Sequence, residues 1–369
     1  VGDGPRNNWA EWESRPGNER TGAAARVWDF PGRDFDLARG LGLNAHRLSV
    51  EWARVQPVRE RVRPDVPPPW DEQALDRYVQ MLADARKAGL EPYVTLQHFT
   101  HPYWLGRDFW LQDDAPQRFG RYAGAVAASL NERLLDRGER PIMQYITINE
   151  PYVLAVGTYL GRWMPSDEPL DLGSPARVVR CLDGLYAGHI RAYQAVHDWY
   201  AARGLARPVV TFNNFALDFY GGDRFFVDLM LSRSKDLAWG PQLRRHVDER
   251  AAEFDVAMSP LTERARAGAP ERWLIAGTAR RLAMRLFRPE RYPRIAEALW
   301  STDHVRPIDA IAIDYYDPTS ANQLRFAAGY DPWEWEAIPE GLFHMLVLNG
   351  RDGLPVYVAE NGMATRRPI

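Results

Sequence analysis

The sequence predicts an α/β fold, and the (β/α)8 barrel, or TIM barrel, is the architecture that fits it best. Apolar strand-like runs alternate with amphipathic helical patterns, and polar residues gather at the carboxyl end of each run. In a (β/α)8 barrel these ends form one rim, where side chains from several strands meet. An open doubly wound sheet would carry a glycine-rich phosphate loop after a strand. No run here is followed by GxGxxG or GxxxxGK(S/T), so the barrel is favoured.

The strand-like runs are short and rich in β-branched and aromatic residues, with no clear alternation of polar and apolar positions. They cover residues 44–50, 91–99, 144–150, 208–215, 308–316 and 354–362. Nearly continuous apolar runs are typical of parallel strands that helices cover, so we expect one parallel sheet. Six runs are two short of a complete barrel, and we therefore expect an incomplete barrel in this chain.

The helical patterns lie between the runs and place apolar residues three or four positions apart, on one helix face. Their members are Leu75, Tyr78, Val79 and Leu82, then Phe119, Tyr122, Val126, Leu130 and Leu134, then Leu182, Leu185, His189, Tyr193, Val196 and Tyr200. Because His189 shares an apolar face, we interpret it as a core histidine. No Gly/Ser linker divides the chain, so residues 1–369 are interpreted as one domain.

An arginine-rich segment at about residues 223–306 separates the fourth and fifth runs. We interpret it as a helical insertion with its arginines turned to solvent. An amphipathic helix that touches a membrane or a partner is the alternative.

The composition argues against several kinds of partner. With 46 basic and 49 acidic residues the net charge is −3, which indicates neither a nucleic-acid-binding nor an anionic-lipid-binding surface. No run of eighteen apolar residues suggests a membrane span. The single cysteine, Cys181, has no second cysteine to pair with, and no signal peptide opens the sequence, so a cytoplasmic location is expected.

Two runs end in a glutamate beside an asparagine: "YITINEP" carries Glu150, and "VYVAENG" carries Glu360. Hydrolysis of a glycosidic bond needs one carboxylic acid to protonate the leaving oxygen and a second carboxylate that faces the anomeric carbon. Two glutamates on one barrel rim supply both groups without a metal or a cofactor. Structural salt bridges at the rim are the alternative interpretation.

Further segments occur in an order that carries a resemblance. They are "LGLNAHRLSVEWARVQP", "YVTLQHFTHPYWL", "VGTYLGRWMP", "AGHIRAYQAV", "IDAIAIDYYDP" and "WEWEAIPEGL". With the two glutamate motifs, they make the chain resemble family 1 glycoside hydrolases, the β-glucosidase family. The resemblance implies a retaining β-glycosidase, which hydrolyses β-glucosides or related β-glycosides through a covalent glycosyl-enzyme. The implied partner is a small-molecule carbohydrate, and no cofactor is implied.

The resemblance also implies roles for individual residues. Glu150 matches the general acid/base and Glu360 the nucleophile. Asn149 matches a contact to the sugar 2-hydroxyl, and His98 a contact to the 3-hydroxyl. The further matches are Arg47 and Tyr316, which flank the nucleophile and keep it ionised and oriented, and Asn213, which reaches toward the sugar unless it only forms a turn.

A metal site is not expected. His98 and His101 are close in sequence, but no further histidine or cysteine ligands lie nearby. Metal-dependent hydrolysis therefore ranks last among the functions considered.

Three departures from the family pattern motivate an alternative function. Asp314 stands where the motif has Asn, and Phe99 stands where Trp usually follows the histidine. Nothing in the given sequence matches the first and eighth strands of the family barrel. The chain is thus expected to be a fragment, unless strands from elsewhere complete it or the fold tolerates the gap. The alternative is a catalytically weak or inactive carbohydrate-binding barrel or fragment.

Overall fold

The computed structural model describes residues 6–58, 66–161, 164–165, 174–268, 270–316 and 338–362. The chain divides into two compact, discontinuous units. The first unit comprises Val1–Asn149, Pro165–Pro169 and Arg191–Val210, and the second comprises Glu150–Met164, Leu170–Ile190 and Thr211–Ile369. The interpretation of residues 1–369 as one domain stays a prediction.

Each of the six predicted runs contains a strand. The strands are β1 (Ala45–Ser49), β2 (Glu91–Thr95), β3 (Gln144–Asn149), β4 (Val209–Phe215), β5 (Ile311–Tyr315) and β6 (Val356–Asn361). They follow one another in sheet order from β1 to β6, and β1–β2, β2–β3, β4–β5 and β5–β6 pair in parallel. The predicted α/β class with six parallel strands is confirmed.

Helices connect these strands, and several begin with a proline in their first turn, where its missing N–H costs nothing. The helices are α1 (Asn8–Glu13), α2 (Pro31–Gly40), α3 (Trp52–Val55), α4 (Glu72–Lys87), α5 (Ala115–Asp136), α6 (Pro151–Val156), α7 (Pro175–Ala202), α8 (Tyr220–Asp223), α9 (Phe225–Leu231), α10 (Pro241–Ala257), α11 (Ser259–Gly268), α12 (Pro270–Ala283), α13 (Pro293–Trp300) and α14 (Pro339–Gly350). None of the described helices combines the length and apolar character that crossing a bilayer requires.

In the first unit, the predicted apolar faces of α4 and α5 are buried along their whole length. Asp71 caps α4 by accepting a hydrogen bond from the backbone N–H of Ala74 at 3.0 Å. Asn131 of α5 donates to the hydroxyl of Tyr145 at 2.8 Å and accepts from the N–H of Ile142 at 2.8 Å. These two bonds tie the helix to β3 and to the residue pair just before it, and the carboxyl end of β3 carries predicted site residues.

In the second unit, the helical part that precedes β4 is also buried as predicted. His189 is fully buried, and its Nε2–H donates to the carbonyl of Pro307 at 2.7 Å. Burial lowers the pKa of His189 to about 4, so the ring is neutral at physiological pH. The interpretation of His189 as a core histidine is confirmed.

A buried ion network lies in the same unit and joins α9 and α10 to the turn before β6. Its residues are Arg224, Asp228, Lys235, Arg250, Asn349 and Asp352. Arg224 is 1% exposed and contacts Asp228 at 2.9 Å and Asp352 at 2.5 Å. The prediction that the arginines of residues 223–306 face solvent holds for exposed residues such as Arg244 but is wrong for Arg224, because two carboxylates compensate its burial.

Candidate active site

Glu150 follows β3 directly and caps the first turn of α6, with a left-handed backbone of φ +40° and ψ 62°. Such a conformation costs a non-glycine residue on the order of 1–3 kcal/mol and concentrates at functional sites. Its N–H donates to the carbonyl of Asn213 at 3.0 Å, and its carbonyl accepts from the N–H of Leu154 at 3.0 Å. With Pro151 at the start of the helix, these bonds hold the buried Glu150 at the strand end.

Glu360 lies near the end of β6 and is held by a tyrosine. The hydroxyl of Tyr316 donates to Glu360 Oε2 at 2.7 Å, and the Tyr316 ring stacks on Phe215 with centroids 5.5 Å apart. Burial, followed by the hydrogen bond and the charge of Glu360, raises the pKa of Tyr316 well above its usual value. Tyr316 therefore remains a hydroxyl donor to Glu360 across the physiological pH range.

The pairing of β5 with β6 contains a β-bulge immediately before the end of both strands. Ile313 lies opposite Val358, whereas the next residue, Asp314, lies opposite Glu360. Ala359 is thus an extra residue in β6. Bulges of this kind redirect side chains and are common beside active sites. Here the bulge brings the carboxylate-bearing positions of the two strands into register.

Three carboxylates meet at this point, and we call Glu150, Asp314 and Glu360 the carboxylate trio. One oxygen of each lies within 4.8 Å of one oxygen of each other member. Asp314 is fully buried, and its Oδ2 accepts a hydrogen bond from Nδ2 of Asn213. Among the described residues this is the group whose spacing could also hold a cation, but spacing alone does not identify a metal site. The absence of a metal stays a prediction.

The first unit contains a second arrangement of predicted site residues. Arg47 of β1 donates from Nε to Thr95 Oγ1 at 2.8 Å and from a terminal nitrogen to Asn149 Oδ1 at 2.5 Å. Because arginine only donates, the amide oxygen of Asn149 must face it, and the amide nitrogen points the other way. The buried Asn149 is thereby fixed as a donor, as a contact to a sugar hydroxyl would require.

His98 follows β2 and is half-buried, with Nδ1 3.4 Å from Ser49 Oγ. The next residue, Phe99, has a left-handed backbone with φ +68°. The nearby His101 is buried, its Nε2–H donates to the carbonyl of Gly106 at 3.0 Å, and burial lowers its pKa to about 4. His101 is therefore a neutral, buried histidine that holds the loop at Gly106.

The structure brings four predicted residues together in the second unit: Glu150 and Glu360 belong to the trio, and Asn213 and Tyr316 donate hydrogen bonds to it. In the first unit it joins Arg47 to Asn149 and places His98 beside Ser49. The roles of all seven stay predictions.

Sequence reasoning left three contributors out of the predicted site: Asp314, Phe215 and Thr95. Phe215 shares a strand face with Asn213 because it follows two positions later, a signal that was present in the sequence. Asp314 was recognised at the end of a strand-like run and as a departure from the family motif, but it was not assigned to the site. Thr95 carried no signal.

Parallel βα units that carry a pair of glutamates at the carboxyl ends of two strands have the arrangement that glycoside-hydrolysing barrels use. The model of the family "Glycosyl hydrolase family 1" matches residues 7–222, more than half of the chain. The chain belongs to this family.

Individual relatives match at lower identity. Beta-glucosidase A of Thermotoga maritima is 24% identical over 96% of this chain and 72% of its own length. A chloroplastic galactolipid galactosyltransferase of Arabidopsis thaliana is 26% identical over 52% of this chain. The matched residues span only 30% of the length of that protein. The solved β-glucosidase of Thermotoga maritima in complex with glucoimidazole has a TM-score of 0.63 at 18% identity, covering 98% of this chain and 74% of the other. At that identity the likeness shows the fold, and the TIM-barrel prediction is confirmed as a partial barrel of six strands.

Proposed function

We propose that the protein is a retaining β-glycosidase that acts on β-glucosides or related β-glycosides. The observation that carries the proposal is the approach of Glu150 and Glu360, whose nearest oxygens lie within 4.8 Å. Carboxyl groups about 5 Å apart allow direct attack on the anomeric carbon, whereas inverting enzymes need a wider gap for water. Family membership supports the same reaction.

In the first step, a carboxylate oxygen of Glu360 attacks the anomeric carbon while the carboxyl group of Glu150 gives its proton to the glycosidic oxygen. The bond to the leaving group breaks, and the sugar becomes an ester of Glu360. The hydroxyl of Tyr316, which donates to Glu360 Oε2 at 2.7 Å, supports this role by orienting the nucleophile. The backbone of Glu150 is left-handed and makes two hydrogen bonds, which supports a fixed position for the acid.

In the second step, the ionised Glu150 accepts a proton from water as the water oxygen attacks the anomeric carbon. The ester bond to Glu360 breaks, both carboxyl groups return to their starting states, and the configuration is retained. Asn149 and His98 are proposed to bind the sugar hydroxyls, and Arg47 to keep the nucleophile ionised. A small-molecule carbohydrate as partner and a cytoplasmic location also remain proposals.

Similarity to the galactolipid galactosyltransferase favours one second candidate. The same glycosyl-enzyme could pass its sugar to the hydroxyl of another carbohydrate in place of water. Transfer products that form from an aryl β-galactoside and a galactoside acceptor, at the expense of free sugar, would identify this activity.

A mechanism-based 2-deoxy-2-fluoro β-glycoside with a good leaving group tests the proposal. The fluorine slows both steps, whereas the good leaving group speeds only the first, so the glycosyl-enzyme accumulates. We expect one covalent sugar per chain, located on the peptide that carries Glu360 by mass spectrometry. The Glu360→Gln variant, which has the same shape and no carboxylate, should remain unlabelled.

Folded protein that takes up no label and releases no aryl alcohol would refute the enzyme proposal. It would leave the alternative of a catalytically weak or inactive carbohydrate-binding barrel. Labelling of another residue in both the original protein and Glu360→Gln would refute the assignment of the nucleophile.

A further inference from the structure

We propose that Asp314 serves the site as a neutral carboxylic acid, and that loss of its proton limits the glycosidase reaction at alkaline pH. The kinetic part of this inference rests on the proposed function, whereas the protonation state does not. Asp314 would then be a positioning residue that acts through Glu150 and Glu360.

The geometry places Asp314 where an additional negative charge is unfavourable. It is fully buried, and the bulge at Ala359 sets it opposite Glu360 in the neighbouring strand. Its nearest oxygen lies within 4.8 Å of an oxygen of Glu150 and of Glu360. Burial and neighbouring carboxylates both favour the protonated form of a carboxyl group.

Asn213 determines which oxygen would carry the proton. Its Nδ2 donates to Asp314 Oδ2, so that oxygen is an acceptor. Because the carbonyl oxygen of a neutral acid is the better acceptor, this bond favours a proton on Oδ1. A hydrogen bond from an amide accommodates a neutral acid as well as an ionised one and brings no positive charge to the pair.

The charges that the reaction requires point the same way. The first step needs Glu360 ionised and Glu150 protonated. The described groups that face Asp314 within the second unit include Glu150 from the end of β3, Asn213 from β4, Glu360 from β6 and the hydroxyl of Tyr316 that follows β5. When the reaction keeps Glu360 ionised, a second negative charge on the buried Asp314 beside it is unfavourable, so Asp314 keeps its proton.

Ionisation of Asp314 would make Glu150 a weaker general acid. A second negative charge in the trio makes Glu150 hold its proton more tightly, which opposes its transfer to the leaving oxygen. The rate should therefore fall on the alkaline side when either Glu150 or Asp314 loses its proton.

The kinetic test uses Asp314→Asn, an uncharged isostere of the protonated acid, and follows kcat/KM on an aryl β-glycoside from about pH 4 to about pH 9. We expect the alkaline limb of the profile to move up by about one pH unit or more. As a matched control, Asp248→Asn removes the same charge from an exposed pair with Arg288 and should leave the limb in place. A limb that stays in place or moves to lower pH in Asp314→Asn would overturn the proposal.

The second test needs no activity and measures Tm against pH for the original protein and Asp314→Asn. A raised folded-state pKa means that the original protein loses stability as pH rises from the unfolded-state pKa, about 3.9, through the folded-state value. The asparagine variant lacks this loss, so its advantage in Tm should grow with pH. An advantage that shrinks with rising pH would show an ionised, stabilised Asp314 and overturn the inference, as would an Asp314→Asn chain that does not fold. If the original protein hydrolyses no glycoside, the proposed function fails, and the Tm series alone decides the protonation of Asp314.

Discussion

The second unit buries carboxylates in two ways, and the contrast separates chemistry from stability. In the carboxylate trio, acidic groups approach one another to within 4.8 Å. In the buried ion network, Asp228 and Asp352 instead contact the cationic groups of Arg224, Arg250 and Lys235. Carboxylates that crowd together have perturbed proton affinities, which acid–base catalysis can use. Carboxylates matched with cations keep their charge and hold the fold together.

The pKa of Asp352 illustrates the matched case. Burial alone would raise it, but Arg224, Lys235 and Arg250 outweigh burial and lower it. Asp352 precedes β6 by a few residues, so the network holds the turn from which the strand bearing Glu360 begins. Removing a member of the trio should therefore change activity more than stability, and removing a member of the network should do the reverse.

The largest expected effect is on activity, in Glu150→Ala. For a glycoside with a poor leaving group, loss of the general acid should lower kcat/KM by about 10²–10⁴-fold. For an activated aryl glycoside the first step needs no acid, so the glycosyl-enzyme should form and then persist, and azide should restore turnover. The Tm should stay unchanged or rise, because one of three crowded carboxylates is gone.

Burst kinetics with the two substrates, with and without azide, measure this prediction. Equal losses on both substrates without rescue by azide would contradict the acid/base role. A large fall in Tm would contradict the expectation that the trio contributes to activity more than to stability.

The next largest effect is on stability, in Arg224→Met. Removing the guanidinium leaves Asp228 and Asp352 buried without their shared cation, which should cost about 3–5 kcal/mol of unfolding free energy. The matched control is Arg244→Met, which breaks a surface pair with Glu290 and should cost about 1 kcal/mol or less. Denaturant unfolding of both variants measures the difference, and equal costs would show that the network adds nothing beyond surface charge.

The smallest effect is a pH dependence that Asp352 controls. Because its folded-state pKa is lowered, its contribution to stability is present above the unfolded-state pKa, about 3.9, and is lost as pH falls through the folded-state value. The stability deficit of Asp352→Asn should thus be full at neutral pH and shrink below about pH 4. Unfolding free energies across this range test it. A deficit that does not change with pH would indicate that the carboxylate acts through packing alone.

The strands and the main helix faces could be predicted because they depend on local patterns. Apolar β-branched runs mark β1 to β6, and residues such as Phe119 and Leu130 recur with the helical period. Glu150 and Glu360 were predicted for the site because each ends such a run, and parallel strands place their carboxyl ends at one edge.

Other features depend on contacts between distant segments and left no local signal. The bulge at Ala359 becomes visible only when β5 and β6 pair, so the register that sets Asp314 directly opposite Glu360 could not be predicted. The burial of Arg224 depends on Asp352, which lies 128 positions away. In the sequence alone, Arg224 cannot be told from the exposed arginines that follow it in the same segment.

The bulge also bears on attempts to transplant this chemistry. A regular strand would pair Asp314 with residue 359 and turn the side chain of residue 360 toward the opposite face of the sheet. A designer who copies this segment onto an idealised strand must therefore either build the bulge or omit the additional alanine. In evolutionary terms, insertion or loss of a single codon in β6 could therefore create or remove the bulge while both acids keep their places opposite each other.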